Sequence, residues 1–249
     1  MNWTRVLNFN ELDPVIMARR AGLELDPWQA KMVRSQEKRI LVCCSRQSGK
    51  STTTAVLADH TAFYEPDSTI LLLSPSLRQS GELFRKCLEV YRSLDKPVSA
   101  EAETALRLEL ENGSRIVSLP GKEGTVRGIS KVKLLIIDEA SRVPDELYMA
   151  VTPMLAVSGG RLVLLSTPWG TRGFYYEMYK NRHKWDYYEV PATECPRISA
   201  EFLEEERESK GEWFFMQEFM CKFMDSESSA FRSEDIEQIV KPGIETWAL

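Results

Sequence analysis

Ser45-Arg46-Gln47-Ser48-Gly49-Lys50-Ser51-Thr52 is the stretch of this chain whose residue types can hold a phosphate. An apolar run, Ile40-Leu41-Val42-Cys43-Cys44, leads into it, and a helix-forming segment, Thr53 to Ala58, follows. Strand, tight loop, Gly-Lys-Ser and helix is the context of a phosphate-binding P-loop. Successive backbone N–H groups of such a loop form a concave anion nest, and the following helix adds its positive dipole end. Gly49 lets the backbone approach phosphate, Lys50 supplies an ammonium for the β/γ-phosphates, and Ser51 supplies a hydroxyl for Mg²⁺. The spacing G-x-x-x-x-G-K-[ST] asks for glycine at position 44, where this chain has Cys44, a residue that disfavours left-handed backbone.

A second chemical feature lies downstream. Val132-Lys133-Leu134-Leu135-Ile136-Ile137 reads as a buried strand that delivers Asp138 and Glu139 to its C-terminal end. Open parallel sheets bind ligands at that edge. Asp138 suits the Mg²⁺ shell, and Glu139 suits orienting an attacking water. The strand Arg161 to Ser166 runs into Thr167-Pro168, so the Ser166 and Thr167 hydroxyls stand at a strand end where a γ-phosphate could be sensed; turn chemistry before Pro168 is the plainer alternative. Gln29, in Pro27-Trp28-Gln29, has an amide that can pair with both N6 and N7 of adenine, while Trp28 suits either the base or the core.

These residues need an α/β frame. Thr69 to Ser74 is a continuous apolar run typical of a buried parallel strand. Residues 76–94 read as an amphipathic helix with Leu77, Leu83, Phe84, Leu88 and Tyr91 inward. Leu106 to Leu110, Asn112-Gly113, and Ile116 to Leu119 give a β-hairpin signal. Residues 120–131 form a Gly-rich basic loop, 144–155 and 173–182 are helical, and 185–190 is strand-like. An acidic helix follows from about residue 199, then an apolar, aromatic one from Glu212 to Phe223, then a Ser- and Glu-rich linker over 224–235.

The bulk properties narrow the function classes. The 249 residues can bury a large core, 43% are hydrophobic and 28% charged, and the net charge of −5 gives no global basic field for nucleic acid. Any polyanion contact must use a local patch. Five cysteines, with no C-x-x-C, argue for free thiols in a reducing compartment. Two distant histidines give no metal-site spacing, and the apolar runs are strand-length, so neither a zinc site, a membrane span nor a signal peptide is expected.

Together these pieces resemble the ATPase domain of the large terminase subunit, the DNA-packaging motor protein of tailed bacteriophages. The carriers are Pro27-Trp28-Gln29, Ser45-Arg46-Gln47-Ser48-Gly49-Lys50-Ser51, Leu135-Ile136-Ile137-Asp138-Glu139-Ala140, Ser166-Thr167-Pro168, and Trp213-Phe214-Phe215-Met216-Gln217-Glu218-Phe219 on to Phe223. A P-loop with Arg-Gln inside it is typical of that family, which accommodates Cys44. The resemblance implies a doubly wound, mainly parallel RecA-like (ASCE) P-loop core over residues 1–190, a small lid over 191–235, and a tail over 236–249 toward a nuclease domain. It implies ATP and Mg²⁺, with Asp138 in the metal shell, Glu139 catalytic, Ser166 and Thr167 coupling, Gln29 reading adenine, and Arg46 sensing the γ-phosphate. The chain ends soon after Phe231 to Ile236, where the family's nuclease begins, so no DNA cleavage is expected of it.

Such motors gain from an arginine on the developing γ-phosphate charge. Arg127, between Gly124 and Gly128, is the candidate finger, and Arg142 competes with it. A finger given in trans would make the active species a ring; the resemblance implies that this ring is homo-oligomeric, sits on a capsid portal with the small terminase subunit as partner, and works in the host cytoplasm at the procapsid. Double-stranded DNA would be held through its phosphates. Arg172, Lys180, Arg182 and Lys184, or Lys122 and Lys131, are candidates for that contact, with a merely solvated basic face as the alternative. A helicase-like translocase shares the same site logic, although 249 residues hold no second RecA-like domain. A nucleotide-binding module with a decayed site is a third reading, which the presence of Lys50, Ser51, Asp138 and Glu139 opposes.

Overall fold

Apolar runs without alternation become the central strands, because a parallel sheet covered by helices buries both faces of each strand. The computed structural model describes residues 13–120, 129 and 131–225. Its strands are β1 (Arg39–Cys44), β2 (Thr69–Ser74), β3 (Ala100–Glu103), β4 (Arg107–Leu110), β5 (Arg115–Pro120), β6 (Val132–Asp138), β7 (Arg161–Ser166) and β8 (Asp186–Val190). They form one sheet in the order β3-β4-β5-β2-β6-β7-β1-β8. From β5 to β8 neighbouring strands run parallel. The β3-β4-β5 edge is an antiparallel meander.

Helices α1 (Pro14–Arg20), α2 (Pro27–Arg34), α3 (Lys50–Tyr64) and α4 (Leu77–Ser93) come from the first half of the chain. Residues of all four join one buried cluster with the side chains that β1, β2, β6 and β7 turn to that face. Helices α5 (Asp145–Val151), α6 (Met154–Ser158) and α7 (Gly173–Lys180) come from the second half, and α5 and α7 contribute Leu147, Val151, Phe174 and Tyr175 to the opposite cluster. Layering helices on both faces is what makes the sheet doubly wound. The last two helices, α8 (Ala200–Lys210) and α9 (Glu212–Glu218), build a separate small core of Leu203, Phe215 and Phe219 with Ala192.

Several expectations change. Leu77 stands at the start of α4 and is 59% exposed, while Leu83, Phe84, Leu88 and Tyr91 are buried as the periodicity indicates. The helix expected over 144–155 is broken into α5 and α6, with Pro153 at the N-cap of the second, because proline cannot donate into a continuing helix. The aromatic helix stops at Glu218 rather than at Phe223, and Cys221 takes a left-handed φ of 57°. That turn brings Phe223 back onto the sheet-packed helix α7, 4.4 Å from the Tyr179 ring and 5.0 Å from Tyr176. Strand β3 has the polar sequence Ala-Glu-Ala-Glu and no apolar face that would mark it. The hairpin turn is as expected, with Gly113 at φ +79° and Asn112 buried and donating to the Ala62 carbonyl.

Parallel order puts the ends of β1, β6 and β7 side by side. Cys43 lies across from Ser166, and Asp138 from Leu165. The P-loop, the two carboxylates and the Ser166-Thr167 pair therefore meet at one sheet edge.

Candidate nucleotide site

The cradle begins where β1 ends. Ser45 N–H donates to the Val190 carbonyl (2.9 Å) and Arg46 N–H to the Glu218 carbonyl (3.0 Å). The loop then turns back, with the Ser48 hydroxyl donating to the Ser45 carbonyl at 2.9 Å. The positive φ values fall on Gln47 (58°) and Gly49 (93°), not on Cys44, which is the last residue of β1. Cysteine is tolerated at position 44 for that reason: it is extended and fully buried. Gly49 is the demanding position, since a Cβ there would stand 2.4 Å from the Gln29 amide nitrogen. Ser51 and Thr52 lie in the first turn of α3, where backbone N–H groups have no acceptor within the helix.

Gln29 is buried beneath this loop. Its amide oxygen accepts from the Asp26 N–H (2.8 Å), and its amide nitrogen faces the Ser48 and Gly49 carbonyls at 3.4 and 3.3 Å. Both ends of the amide are engaged by protein, so here Gln29 braces the P-loop. Arg197, which the sequence reading did not single out, completes the brace. Its guanidinium grips the Asp26 carboxylate with two bonds of 2.7 Å and reaches the Ser48 carbonyl at 3.2 Å.

Lys50 sits 3.1 Å from Glu139. Burial works against the Lys50 ammonium, but the charges of Cys44, Glu139 and Asp138 outweigh it and hold its pKa above the usual value. Burial pushes the Cys44 thiol up to about 12, so near neutral pH only the two carboxylates supply that field. Asp138 is itself raised to about 6, first by burial and then by the adjacent Glu139. Glu139 takes a left-handed φ of 50°, a strained setting typical of functional positions. Its carboxylate also accepts from the Ser166 hydroxyl at 3.4 Å. Ser141, likewise missed, ties the region together: its N–H donates to the Ser166 hydroxyl, and its own hydroxyl, 2.7 Å from that of Ser166, donates to the Thr167 carbonyl.

Among the described residues no group of three or more His, Cys, Asp or Glu side chains could hold a metal alone. A divalent cation fits the site only with help. Asp138, kept in its costly charged form beside Glu139, and the Ser51 hydroxyl would share it with phosphate oxygens, the way Mg²⁺ is ordinarily bound.

The arginines separate. Arg46 donates its Nε to Glu218 at 2.6 Å. Arg142 lies within its own chain, 3.8 Å over the Trp169 ring and 3.4 Å from the same Glu218. Arg127 and Lys122 lie outside the described residues. The DNA-contact candidates are not one patch. Arg172 holds the N-cap position of α7 at the P-loop edge, but Lys180, about 12 Å along that eight-residue helix, lies with Arg182 and Lys184 toward the opposite edge, where β8 begins. Lys180 pairs with Glu177, and Arg182 packs over the Tyr179 and Tyr187 rings. Lys131 stands at that far edge too, beside a cleft that also holds Asp67, Glu101 and Glu109.

The fold recurs in known proteins. The large terminase ATPase domain of Thermus phage P74-26 superposes with a TM-score of 0.72 at 22% identity, covering 83% of this chain and 97% of that one. The large terminase of another thermophilic bacteriophage, solved in complex with ATP-gamma-S, gives 0.63 at 14% identity over 80% of this chain and 52% of that one. The terminase large subunit of Thermus virus P23-45 is 29% identical over 167 residues, 59% of this chain and 34% of that protein, so the chain spans about a third of this relative's length. The family described as terminase large subunit, T4likevirus-type, N-terminal, matches residues 41–238, most of the chain, and the chain belongs to that family.

Proposed function

We propose that this chain binds Mg·ATP at the Ser45–Thr52 cradle and hydrolyses it, and that hydrolysis drives double-stranded viral DNA into a procapsid. The observation that carries the reading is the Lys50–Glu139 pair at 3.1 Å, with Ser166 beside it at 3.4 Å. A phosphate-binding ammonium and a water-orienting carboxylate are thus within reach of one small volume. An incoming triphosphate competes with Glu139 for Lys50. Released from the ammonium, Glu139 is left with the Ser166 hydroxyl and can take up the attacking water. The β/γ-phosphates rest on the N–H groups from Gln47 into α3, and Mg²⁺, when bound by Ser51 and Asp138, offsets their charge.

Gln29 meets adenine in this reading only by exchanging its bonds to the P-loop, so its first role is to hold the cradle in shape. Arg127 in trans, a ring on the portal, and contacts with the small subunit belong to the same proposal. Five unpaired thiols suit the reducing host cytoplasm where a procapsid fills. The thermophilic phage terminase bound to ATP-gamma-S and the family's role as terminases support the nucleotide and DNA assignments.

The test is Glu139→Gln. The amide keeps the side chain's shape but cannot serve as a base, so ATP turnover should fall at least 100-fold, with ADP and ATP-gamma-S still bound. Turnover within threefold of the parent chain would remove Glu139 from the chemistry. Loss of nucleotide binding together with turnover would mean that Glu139 chiefly orders the site.

A further inference from the structure

Glu218 is a charged residue at the end of an aromatic helix, next to the buried Gln217, and it is 1% exposed. It closes α9, whose Phe215 and neighbouring Phe219 form the small core of the last subdomain. A carboxylate so buried needs cationic partners, and it has two. Its Oε2 accepts from Arg46 Nε at 2.6 Å, and its Oε1 from an Arg142 terminal nitrogen at 3.4 Å. Its backbone carbonyl accepts the Arg46 N–H at 3.0 Å, so Arg46 is fixed to α9 by main chain and side chain together. Arg142 in turn lies 3.8 Å over Trp169, which follows the Ser166-Thr167 pair. The P-loop and the turn after Glu139 therefore converge on one lid carboxylate, and the segment after Ser166 joins them through Arg142.

The donor arithmetic gives this convergence a direction. A guanidinium carries five N–H donors, one on Nε and four on the terminal nitrogens. Glu218 occupies Nε, which sets the plane of the Arg46 guanidinium and leaves the terminal nitrogens for another ligand. The Arg46 side chain is 55% exposed and springs from the P-loop itself, where a phosphate oxygen is the ligand such free donors would meet. Resting on the reading of the cradle as an ATP site, we infer that Glu218 is a positioning residue: it aims Arg46 at the γ-phosphate and carries phosphate occupancy into the lid through α9. Neither the P-loop nor the carboxylate strand needs an acid from this distant segment for its own geometry.

The charge balance makes the inference testable against plain destabilisation. Glu218→Gln keeps volume and one acceptor oxygen but removes the negative charge between two arginines. The cradle then faces the triphosphate with one more net positive charge. Nucleotide affinity should stay within threefold or tighten, while kcat falls about 10- to 100-fold because Arg46 is no longer aimed. A merely structural role would weaken binding and turnover in parallel with Tm. The second measurement is a cycle with Arg46→Gln. If Glu218 acts through Arg46, adding Glu218→Gln to Arg46→Gln costs less than threefold further in kcat, and the neutral pair is tolerated even where the single Glu218 variant folds poorly. An unchanged kcat in Glu218→Gln, or full multiplicative losses in the double variant, overturns the inference. A parent chain that binds no nucleotide would instead overturn the ATP reading beneath it.

Discussion

Arg197 offers the sharpest check on how the P-loop is held. Replacing it with alanine removes two charge-assisted bonds of 2.7 Å to Asp26 and one of 3.2 Å to the Ser48 carbonyl. Hydrogen bonds to charged groups are worth about 1.5–3 kcal/mol in mutational series. The Arg197 side chain is 49% exposed, so solvent screening favours the low end of that range. Asp26, however, is only 9% exposed and would be left without its counter-charge. A net loss of about 2 kcal/mol is expected, which for a chain of this size lowers Tm by about 4–8 °C. Freed from one side, the Ser48–Gly49 turn pays an ordering cost when phosphate binds, and the ADP Kd should rise about tenfold. Arg197→Lys keeps a point charge but lacks the two-pronged fork, so it should recover less than half of the loss. Thermal melts with and without ADP, paired with calorimetric titration, measure both effects. A Tm within about 1 °C of the parent and an unchanged Kd would refute the argument that this arginine braces the cradle.

Asp138 gives a pH-dependent counterpart. Its carboxyl is raised to about 6 in the folded chain, by burial and by Glu139, from an ordinary value of 3.8. A raised acid stabilises the fold most below its unfolded pKa, and that contribution is lost as pH climbs from about 4 to about 6. At neutral pH the nucleotide-free chain thus carries a cost of up to about 3 kcal/mol, and Asp138→Asn should melt several degrees higher while losing Mg-dependent ATP turnover. An Asn variant no more stable than the parent at pH 7 would contradict this. Asp59, fully buried on α3 with neither carboxyl oxygen hydrogen-bonded, is also pushed well above its usual range by burial. The sign is the same, so the stability advantage of Asp59→Asn should grow from pH 4 to pH 7 and reach about 1–3 kcal/mol, read from denaturant unfolding; a gap independent of pH would show that the carboxyl never needs its proton.

Residue types and their order were enough to indicate which residues would meet and the sheet edge on which they do. Gly49-Lys50-Ser51 after an apolar run, and Asp138-Glu139 at the end of another, mark a P-loop and a carboxylate pair at strand ends, because strands buried on both faces are apolar and their C-terminal ends carry the polar residues. The helix breaks were partly legible, since Pro153 announces one, but the end of α9 at Glu218 was not, because nothing local stops an apolar helix there. Contacts made across long stretches of chain were settled by folding alone. Cys44 is harmless because positive φ falls on Gln47 and Gly49, a fact of loop path rather than of composition. Arg197 and Ser141 carry no motif; they matter because folding delivers them to Ser48 and Ser166. Glu218 left one trace, an acid beside Gln217 in a run of Trp, Phe and Met, which must be paired if the helix is buried. Which cations pair with it depends on how α9 closes over the sheet edge, and local pattern cannot encode a contact between residues 172 positions apart.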